Sequence, residues 1–557
     1  MPVYIGNVEP GTGQAIGRDS PGTNGRLASG RAGDMSNSLH RRISMNLAWM
    51  LAIFFAAWAM RGATATDITL NDQARHALNG VALFDIMREG GLSRPVAWMR
   101  DYFLHLPALS MPYHPPLFPA VEALFYAAFG VNPVSARLAV AGFVAGAVLL
   151  FFRQVRTLGE NSYVAAASVL IFFSLPITQR LSSDVMLELP ALFWVLASTV
   201  FIASARTAWS LRDAVLAGLF AGAAIWTKQT IFVGLIPVLL LASKRFPGLR
   251  AGKVLVFCAI FGTFIAGYVL LCLAAGFSGI SQSWAPLSIP DRVIRGIQYY
   301  VGVLHRQLGR ASIGWVLAAA GLFFAALRKP ALRKAILRDA SVFYLCWLAA
   351  CVGVLLAIPA FDARYLWFAY PAFVVMAVTT VHALIATYSD LLKANVAVLA
   401  MATAFCLWNL RTEPLHVTGP SAAAAMNGTG GRVLYCGASN GSFIFAIRML
   451  DSRRTTHVIR ADKVVKSLRE LGLAHFVQKY GINNIVVEAN QHSSICNDFR
   501  QHAASLNAQR ALVPIRSNLS SINGTIEIYR LSAATRPAKA SLDLPIESTG
   551  QAIRGEF

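Results

Sequence analysis

Two polar stretches interrupt an otherwise apolar sequence, and both carry side chains that could do acid–base chemistry. They are Asp72-Gln73-Ala74-Arg75-His76 and Tyr113-His114-Pro115-Pro116. A carboxylate at a membrane surface can act as general base toward an incoming hydroxyl, and nearby cations or imidazoles can bind the substrate. Asp72 could equally be an acid that favours a helix N-terminus, and the two prolines could simply start a helix. Both interpretations stay open from the spacing alone.

Further ionisable residues stand at the ends of apolar runs. Asp184 and Glu188 are four residues apart and would share one helix face if a helix began by Asp184. Lys228 lies at the tip of an apolar hairpin, where an ammonium group can pair with phosphate. Arg137 and Arg364-Tyr365 each open an apolar run and offer the same chemistry. The alternatives are acids paired for structure and cations that snorkel to the membrane surface.

The composition predicts a membrane protein. The 557 residues are 56% hydrophobic and 14% charged, and the mean hydropathy is +0.53, which is too apolar for a soluble chain of this length. The net charge of +22 comes from short basic clusters between apolar runs, a pattern that argues against a nucleic-acid stripe. We expect a mainly α polytopic bundle with about eleven spans, near residues 44–62, 136–153, 161–177, 188–205, 213–226, 230–242, 254–276, 312–327, 340–358, 365–387 and 393–410.

The positive-inside rule gives this bundle an orientation. Arg41 and Arg42 place the N-terminus in the cytoplasm, and the Arg153/Arg156 pair and the basic block at 328–334 fall on the same side. The acidic and unusual polar residues then share the outer face. The apolar run 117–130 is predicted to be an interfacial helix because it is short and contains Glu122; counting it as a span would invert everything downstream.

The sequence predicts four regions: a disordered leader at 1–43, a transmembrane domain at 44–410 with an outer catalytic loop at 63–135, an extracytoplasmic α/β domain at 411–530, and a disordered tail at 531–557. In the α/β domain we expect strands at 432–436, 457–460, 482–488 and 527–529, and helices near 441–450, 462–480 and 495–507. Cys436 and Cys496 could pair if this domain is extracytoplasmic. The turn at 437–441 is not a convincing dinucleotide fingerprint.

The motifs, taken in order, resemble the bacterial aminoarabinose and protein O-mannosyl transferases, GT-C glycosyltransferases (family 39-like) that use polyprenyl-phosphate sugars. Five pieces carry the resemblance: Asp72 to Ala77; Tyr113 to Pro116 with Phe129-Gly130 and Arg137; Leu187 to Pro190 with Phe193-Trp194; Trp226 to Lys228 with Pro237; and Arg364-Tyr365 with Pro371. Gln73 replaces the usual glutamate, and Glu188 stands where aspartate is common. With Gln73 in this place, the first motif carries one carboxylate, that of Asp72, instead of a pair.

The resemblance implies a sugar donor on undecaprenyl or similar phosphate, bound near Lys228 with Arg137 or Arg364. Asp72 would accept the proton of the acceptor while its oxygen attacks C1, and inversion is expected. No cofactor is implied, the family is usually metal-independent, and no His/Cys cluster demands a metal. The implied site comprises catalytic Asp72, Glu188 and Asp184, and substrate-binding or lipid-phosphate-binding Arg75, His76, Tyr113, His114, Arg137, Lys228, Arg364 and Tyr365.

The expected setting is a bacterial inner membrane, with a lipid (lipid A), glycan or protein as acceptor. The alternative is a transporter or flippase of polyprenyl lipids, but transporters often carry mid-bilayer charges and internal repeats. Here the charges lie at the outer interface and no repeat is evident. A catalytically silent sugar-lipid binder is a third hypothesis, permitted by Gln73.

Overall fold

The computed structural model describes residues 24–68, 71–204, 209–229, 251–275, 289–308, 339–357, 362–410, 418–489, 494–509, 512–521 and 524–532, plus isolated helical positions between 320 and 330. By its internal contacts the chain divides into two units, Met1–Leu47 and Ala48–Phe557. Of the first unit, the structure describes only helical residues that open α1. Everything below concerns the second unit.

Helices dominate the described chain, and we number them in order. The bounds are α1 Asn24–Ala59, α2 Asn71–Arg88, α3 Pro95–His105, α4 Leu117–Phe129, α5 Pro133–Thr157, α6 Ser162–Ser174, α7 Pro176–Ser183, α8 Glu188–Ala203, α9 Leu211–Thr227, α10 Ala251–Ala274, α11 Ile289–Leu308, α12 Asp339–Ala357, α13 Ala363–Leu366, α14 Tyr370–Tyr388, α15 Leu391–Asn409, α16 Gly419–Asn427, α17 Asn440–Leu450, α18 Val465–Leu471, α19 Leu473–Lys479 and α20 Ser494–Ala508.

Five helical segments are long and apolar enough to cross a membrane within the described chain: Arg42–Ala59, Pro133–Thr157, Ala251–Ala274, Arg364–Tyr388 and Leu391–Asn409. A sixth arises if α6 and α7, bent by 72°, count as one span. The prediction of a multi-pass helical bundle is confirmed, but the number eleven stays a prediction. The predicted span at 230–242 lies outside the described residues, as does most of the one at 312–327.

Local sequence signals explain where several helices begin. The side chains of Asn132 and Asn161 accept hydrogen bonds from the backbone N–H groups of Ser135 and Val164, which caps α5 and α6. Ser210 and Asp213 form a capping box at the start of α9. These caps satisfy N–H groups that have no partner within the helix.

Small residues bring α9 close to α10. A Cβ atom added at Gly222 would lie 2.3 Å from Phe264, and one added at Gly218 would lie 3.1 Å from Ile260. Helices in membranes pack through such small residues because their backbones can then approach closely. This contact holds the C-terminal half of α9 against α10. Lys228 is the residue that follows the last residue of α9.

The polar loop folds into α2, a short 3₁₀ turn at Gly91–Ser93, α3 and α4. The helix predicted at 117–130 is present as α4, and its Glu122 is fully buried. A Cβ atom at Gly80 of α2 would lie 2.6 Å from the Cβ of Glu122. Gly80 therefore allows α2 and α4 to cross at close range, which fixes the helix that begins with the first polar motif.

The C-terminal part forms a five-stranded sheet in the order β2-β1-β3-β5-β4, from β1 Gly431–Cys436, β2 Thr456–Arg460, β3 Ile482–Ala489, β4 Leu512–Ser521 and β5 Gly524–Leu531. Strand β1 is parallel to β2 and β3, and β5 is antiparallel to β3 and β4. The four predicted strands are present. Strand β4 was not predicted, because Pro514 interrupts its pattern; it lies at the sheet edge, where proline is tolerated.

One further detail differs from the sequence prediction, and a cysteine pairing that the sequence left open is present. The helix predicted at 462–480 is divided into α18 and α19 by Gly472, which has a left-handed φ of 72°. Cys436 and Cys496 form a disulfide, which ties the end of β1 to α20. Both cysteines lie within the buried apolar cluster of this domain.

Candidate functional site

A buried ion pair joins the neighbouring ends of α8 and α9. Glu188 is the first residue of α8, and Lys228 follows the last residue of α9. The Nζ of Lys228 lies 2.5 Å from Oε1 of Glu188, and the two residues are 6% and 0% exposed. Removing Glu188 would leave the buried ammonium of Lys228 without this carboxylate. The pair is therefore expected to need a replacement partner if a ligand displaces one member.

Arg364 links this pair to the first polar motif. Its Nη1 lies 3.0 Å from Oδ2 of Asp72, and its Nε lies 3.7 Å from Oε1 of Glu188. Asp72 stands in the first turn of α2, and Arg364 in the short helix α13 before α14. Four charged residues that are far apart in the sequence thus meet in one place, as the sequence analysis predicted for a single site.

Asp362 belongs to the same cluster, and the sequence analysis gave it no role. Its side chain caps α13 by accepting the backbone N–H of Arg364 at 2.8 Å. The same carboxylate accepts hydrogen bonds from the Nε and Nη2 atoms of that arginine. An aspartate just before a helix start was the available signal, because that pattern is typical of an N-cap.

Two imidazoles lie against the charged cluster. His76 is one turn after Asp72 on α2, and its ring centroid is 4.5 Å from that of His114. Burial, reinforced by neighbouring charges that include Lys228, holds the pKa of both histidines well below the usual value. Both are therefore neutral at pH 7, and a neutral imidazole can donate one hydrogen bond and accept another. Arg75 is near enough for its charge to lower the pKa of His76.

Aromatic residues line the same region. The Nζ of Lys228 is 5.9 Å from the ring centroid of Tyr365. The hydroxyl of Tyr268 donates to the carbonyl of Tyr113 at 2.9 Å, and Trp226 packs against the same buried group. Burial, followed by the charge of Asp72, raises the pKa of Tyr113, so its phenol stays protonated. Tyr268 and Trp226 were not among the predicted site residues.

Arg137 lies outside this cluster by its observed partners. Its guanidinium donates to the carbonyls of Ala63, Thr66 and Asp67 at 2.9, 2.9 and 2.8 Å, and it is 6% exposed. Arg137 lies one turn inside α5, which begins at Pro133 rather than near residue 136. Its contacts brace the segment that leads from α1 toward α2. The contact of Arg137 with a lipid phosphate stays a prediction. The contacts of Arg137 in the structure are hydrogen bonds to backbone carbonyls.

Asp184 does not share a helix face with Glu188, because α8 begins only at Glu188. Asp184 ends α7 in an extended conformation, and its Oδ2 lies 3.6 Å from Nε of Arg180. Gln73 and Arg137 are its other neighbours, and burial raises the pKa of Asp184 to about 6. The unusual Gln73 therefore faces Asp184, where a glutamate would add a second carboxylate.

The C-terminal part of the chain, whose described residues lie between 418 and 532 and carry the five-stranded sheet, is called the sheet domain below. It contacts the loop that carries the first motif. Arg448 of α17 forms a buried bidentate pair with Asp85 of α2, at 2.8 and 2.5 Å, and Tyr102 donates to the same carboxylate at 3.0 Å. Arg460 donates to the carbonyl of Pro107 at 3.0 Å, and the backbone N–H of Ser421 to the carboxylate of Asp67. These contacts hold α2, and Asp72 with it, against the sheet domain.

Over the part of the chain that the structure describes, no group of three or more His, Cys, Asp or Glu residues could hold a metal ion. The charged cluster brings together most of the predicted site, namely Asp72, Arg75, His76, Tyr113, His114, Glu188, Lys228, Arg364 and Tyr365. Asp184 and Arg137 lie beside the cluster, where Asp184 pairs with Arg180 and Arg137 holds the segment after α1. The arrangement offers a carboxylate beside two cations, with neutral imidazoles and phenols that can bind hydroxyls.

Comparison with known proteins finds one matching family model and solved structures with a similar fold. The family model described as dolichyl-phosphate-mannose-protein mannosyltransferase matches residues 113–267. The fold is similar to that of ArnT from Cupriavidus metallidurans in the apo state, with a TM-score of 0.53 and 14% identity over 91% of this chain and 100% of that one.

The structure of the same ArnT bound to undecaprenyl phosphate gives a TM-score of 0.51 and 14% identity over 90% and 99% of the two chains. No curated protein sequence matches the chain. The predicted likeness to GT-C glycosyltransferases of the ArnT and mannosyltransferase type is confirmed.

Proposed function

We propose that this chain, which has the GT-C fold of ArnT, is a membrane glycosyltransferase that uses a polyprenyl-phosphate-linked sugar as donor. The observation that carries the proposal is the meeting of Asp72, Glu188, Lys228 and Arg364 in one cluster. The family model and the ArnT fold support the class of reaction. A hydroxyl on a lipid, glycan or protein is the acceptor.

The reaction moves one proton and one glycosyl group. The oxygen of the acceptor hydroxyl attacks C1 of the sugar, the bond between C1 and the phosphate oxygen breaks, and the polyprenyl phosphate leaves with the electron pair. Asp72, which is partly exposed in the first turn of α2, accepts the proton of the hydroxyl. Attack opposite the leaving group inverts the configuration at C1.

The two cations stabilise the departing phosphate. Lys228 supplies a compact positive charge, and Arg364 supplies a planar guanidinium that suits phosphate oxygens. Fixed cations placed where negative charge develops lower the barrier, because they need no reorganisation during the reaction. In the resting site both cations are held by carboxylates, so the phosphate takes over partners that are already in position.

The C-terminal domain and the cluster are proposed to face away from the cytosol. The disulfide between Cys436 and Cys496 supports this orientation, because disulfides persist in oxidising compartments. The basic clusters between short loops support it independently. A bacterial inner membrane, with the N-terminus in the cytoplasm, fits both observations.

The proposal is tested by replacing the base. We expect Asp72→Asn to lower the rate of polyprenyl-phosphate release from a labelled donor by roughly 10²–10⁴-fold, because the amide cannot accept the proton. The protein should still insert and fold, since Asp72 is partly exposed. The measurement is thin-layer separation of the radiolabelled lipid products of the purified protein in nanodiscs.

The matched control is Asp101→Asn, because Asp101 is an exposed aspartate of the same loop whose recorded ion pair is a 4.0 Å contact with His105. This variant should retain the activity of the unmodified protein. Full activity in Asp72→Asn would remove Asp72 from the mechanism.

A further inference from the structure

We infer that Asp362 is a positioning residue of this site: it holds the guanidinium of Arg364 by one edge and turns the opposite nitrogen, Nη1, toward Asp72 and the leaving phosphate. This inference rests on the proposed function. It assigns to Asp362 a role that neither the motifs nor the sequence pattern indicated.

The contacts divide the guanidinium into two edges. The Nε and Nη2 atoms donate to the carboxylate of Asp362, with distances of 2.6 to 3.1 Å. The remaining nitrogen, Nη1, donates to Asp72 at 3.0 Å. Bidentate arginine–carboxylate pairs fix the plane of the guanidinium as well as its position. Asp362 therefore decides which edge of Arg364 faces the pocket.

The charges of the cluster indicate which carboxylate gives way to a phosphate. Among the described residues, the ion pairs of this cluster join three carboxylates, those of Asp72, Glu188 and Asp362, to two cations, Lys228 and Arg364. A phosphate that enters this group competes with these carboxylates for the cations. Asp72 makes one hydrogen bond to the guanidinium and its side chain is 41% exposed, so it is the partner that can leave.

Asp362 cannot leave in the same way. It is two residues before Arg364 and caps the helix in which that arginine lies, so its carboxylate is tied to the backbone at the same point. Burial alone would raise the pKa of Asp362, but the hydrogen bonds and charge of Arg364 outweigh burial and hold the pKa below its usual value. The carboxylate stays ionised and keeps Arg364 in place while Asp72 is released to act as base.

The test begins with Asp362→Asn. Asparagine is as good an N-cap as aspartate, so the start of α13 should be kept while the charged hold on Arg364 is lost. We expect kcat to fall about tenfold or more, with the donor KM changed less than threefold, because an arginine that is misoriented stabilises the transition state less.

The matched control is Asp390→Asn. Asp390 is also an N-cap aspartate, at the start of α15, where it accepts the backbone N–H of Lys393 and pairs with its side chain. Its side chain is 54% exposed, and its recorded contacts do not involve the cluster. This variant should keep the kcat of the unmodified protein. An equal fall in both variants would show that only a helix cap was disturbed, and would overturn the inference.

A double-mutant cycle tests whether Asp362 acts through Arg364. In an Arg364→Lys background, lysine cannot make the bidentate contact, so adding Asp362→Asn should change kcat less than twofold. Independent, multiplying effects of the two substitutions would overturn the inference. If the unmodified protein releases no polyprenyl phosphate from any labelled donor, the proposed function itself is wrong. If the enzyme is active and the effects of Asp362→Asn and Arg364→Lys on kcat multiply independently, only the role of Asp362 is wrong.

Discussion

At the scale of single residues, the cluster shows how buried charges are made tolerable by sharing partners. Glu188 is fully buried, yet it touches both Lys228 and Arg364. Burying a charge without a partner costs several kcal/mol, so the two cations explain how a carboxylate can open a buried apolar helix. Burial, together with the charge of these cations, holds the pKa of two nearby histidines well below the usual value, which leaves their neutral imidazoles able to bind hydroxyl groups.

The pKa of Asp184 predicts a pH dependence of stability. Burial raises this pKa from 3.8 to about 6, so folding favours the protonated form. The contribution of protonated Asp184 to the free energy of unfolding is fully present below about pH 4, and it is lost as the pH rises through the folded-state pKa of about 6. We expect the difference in thermal midpoint between the unmodified protein and Asp184→Asn to shift by the equivalent of roughly 1–3 kcal/mol between pH 4 and 7.

The expected direction is that the unmodified protein loses stability relative to Asp184→Asn as the pH rises, because the amide does not ionise. Thermal unfolding in detergent, followed by intrinsic fluorescence at several pH values, measures this. A difference that stays constant from pH 4 to 7 would contradict the account of Asp184.

At the scale of elements, the central feature is that α2 is held at both ends. Its first turn carries Asp72, and its last turns carry Asp85, which pairs with Arg448 of the sheet domain. Gly80 in the middle lets α4 cross closely. The sheet domain is therefore expected to act on catalysis indirectly, by fixing the helix that presents the base.

Arg448→Met tests this connection. The substitution removes the buried cation of Asp85 and leaves Arg88, which is 40% exposed and 3.1 Å away, as its recorded cationic partner. We expect a loss of roughly 2–4 kcal/mol in stability, because the buried carboxylate is then poorly compensated, together with a lower rate of polyprenyl-phosphate release. Adding Asp85→Asn should recover much of the stability, because the poorly compensated charge is removed. Thermal unfolding and the release assay, run on both variants, check this.

The control for that pair is Arg500→Met. Arg500 also pairs with a carboxylate of the sheet domain, Glu527, but its side chain is 46% exposed, and such pairs contribute little. Equal losses in Arg448→Met and Arg500→Met would argue against a special role for the contact with α2.

The sequence predicted the elements better than their connections. Long apolar runs predicted α5, α10, α14 and α15, and short strand-like apolar runs predicted four of the five strands, because both patterns are local. Strand β4 was not predicted because Pro514 is atypical of strands and is tolerated mainly at a sheet edge. The helix break at Gly472 was not predicted because glycine can continue a helix as well as end it. In both places tertiary packing selects one of two conformations that the local sequence allows.

The site was predicted as a set of residues but not as a set of contacts. Motif order suggested that Asp72, Glu188, Lys228 and Arg364 belong together, and the structure brings them into contact. The partners of Arg137 and Asp184 could not be predicted, because they depend on how the segment after α1 folds against α5 and where α8 begins. The position of Asp362 before a helix indicates only an N-cap, and its side-chain contacts with Arg364 could not be predicted from the sequence.

At the scale of the whole molecule, a bundle of apolar helices carries a polar loop and a sheet domain that brace each other over one charged cluster. The fold is that of the ArnT structures, and the family model spans the loop's second half and the helices that follow. The proposed lipid-linked donor suits this architecture, because its chain would remain in the bilayer while its phosphate would bind Lys228 and Arg364.

The most direct test of this account compares cleavage with transport in proteoliposomes that contain the purified protein, a donor labelled in both sugar and lipid, and an acceptor extract. The account predicts that the donor is cleaved, and that polyprenyl phosphate and glycosylated acceptor appear in equal amounts. Movement of intact donor across the bilayer with no polyprenyl phosphate released would contradict it and favour a transporter.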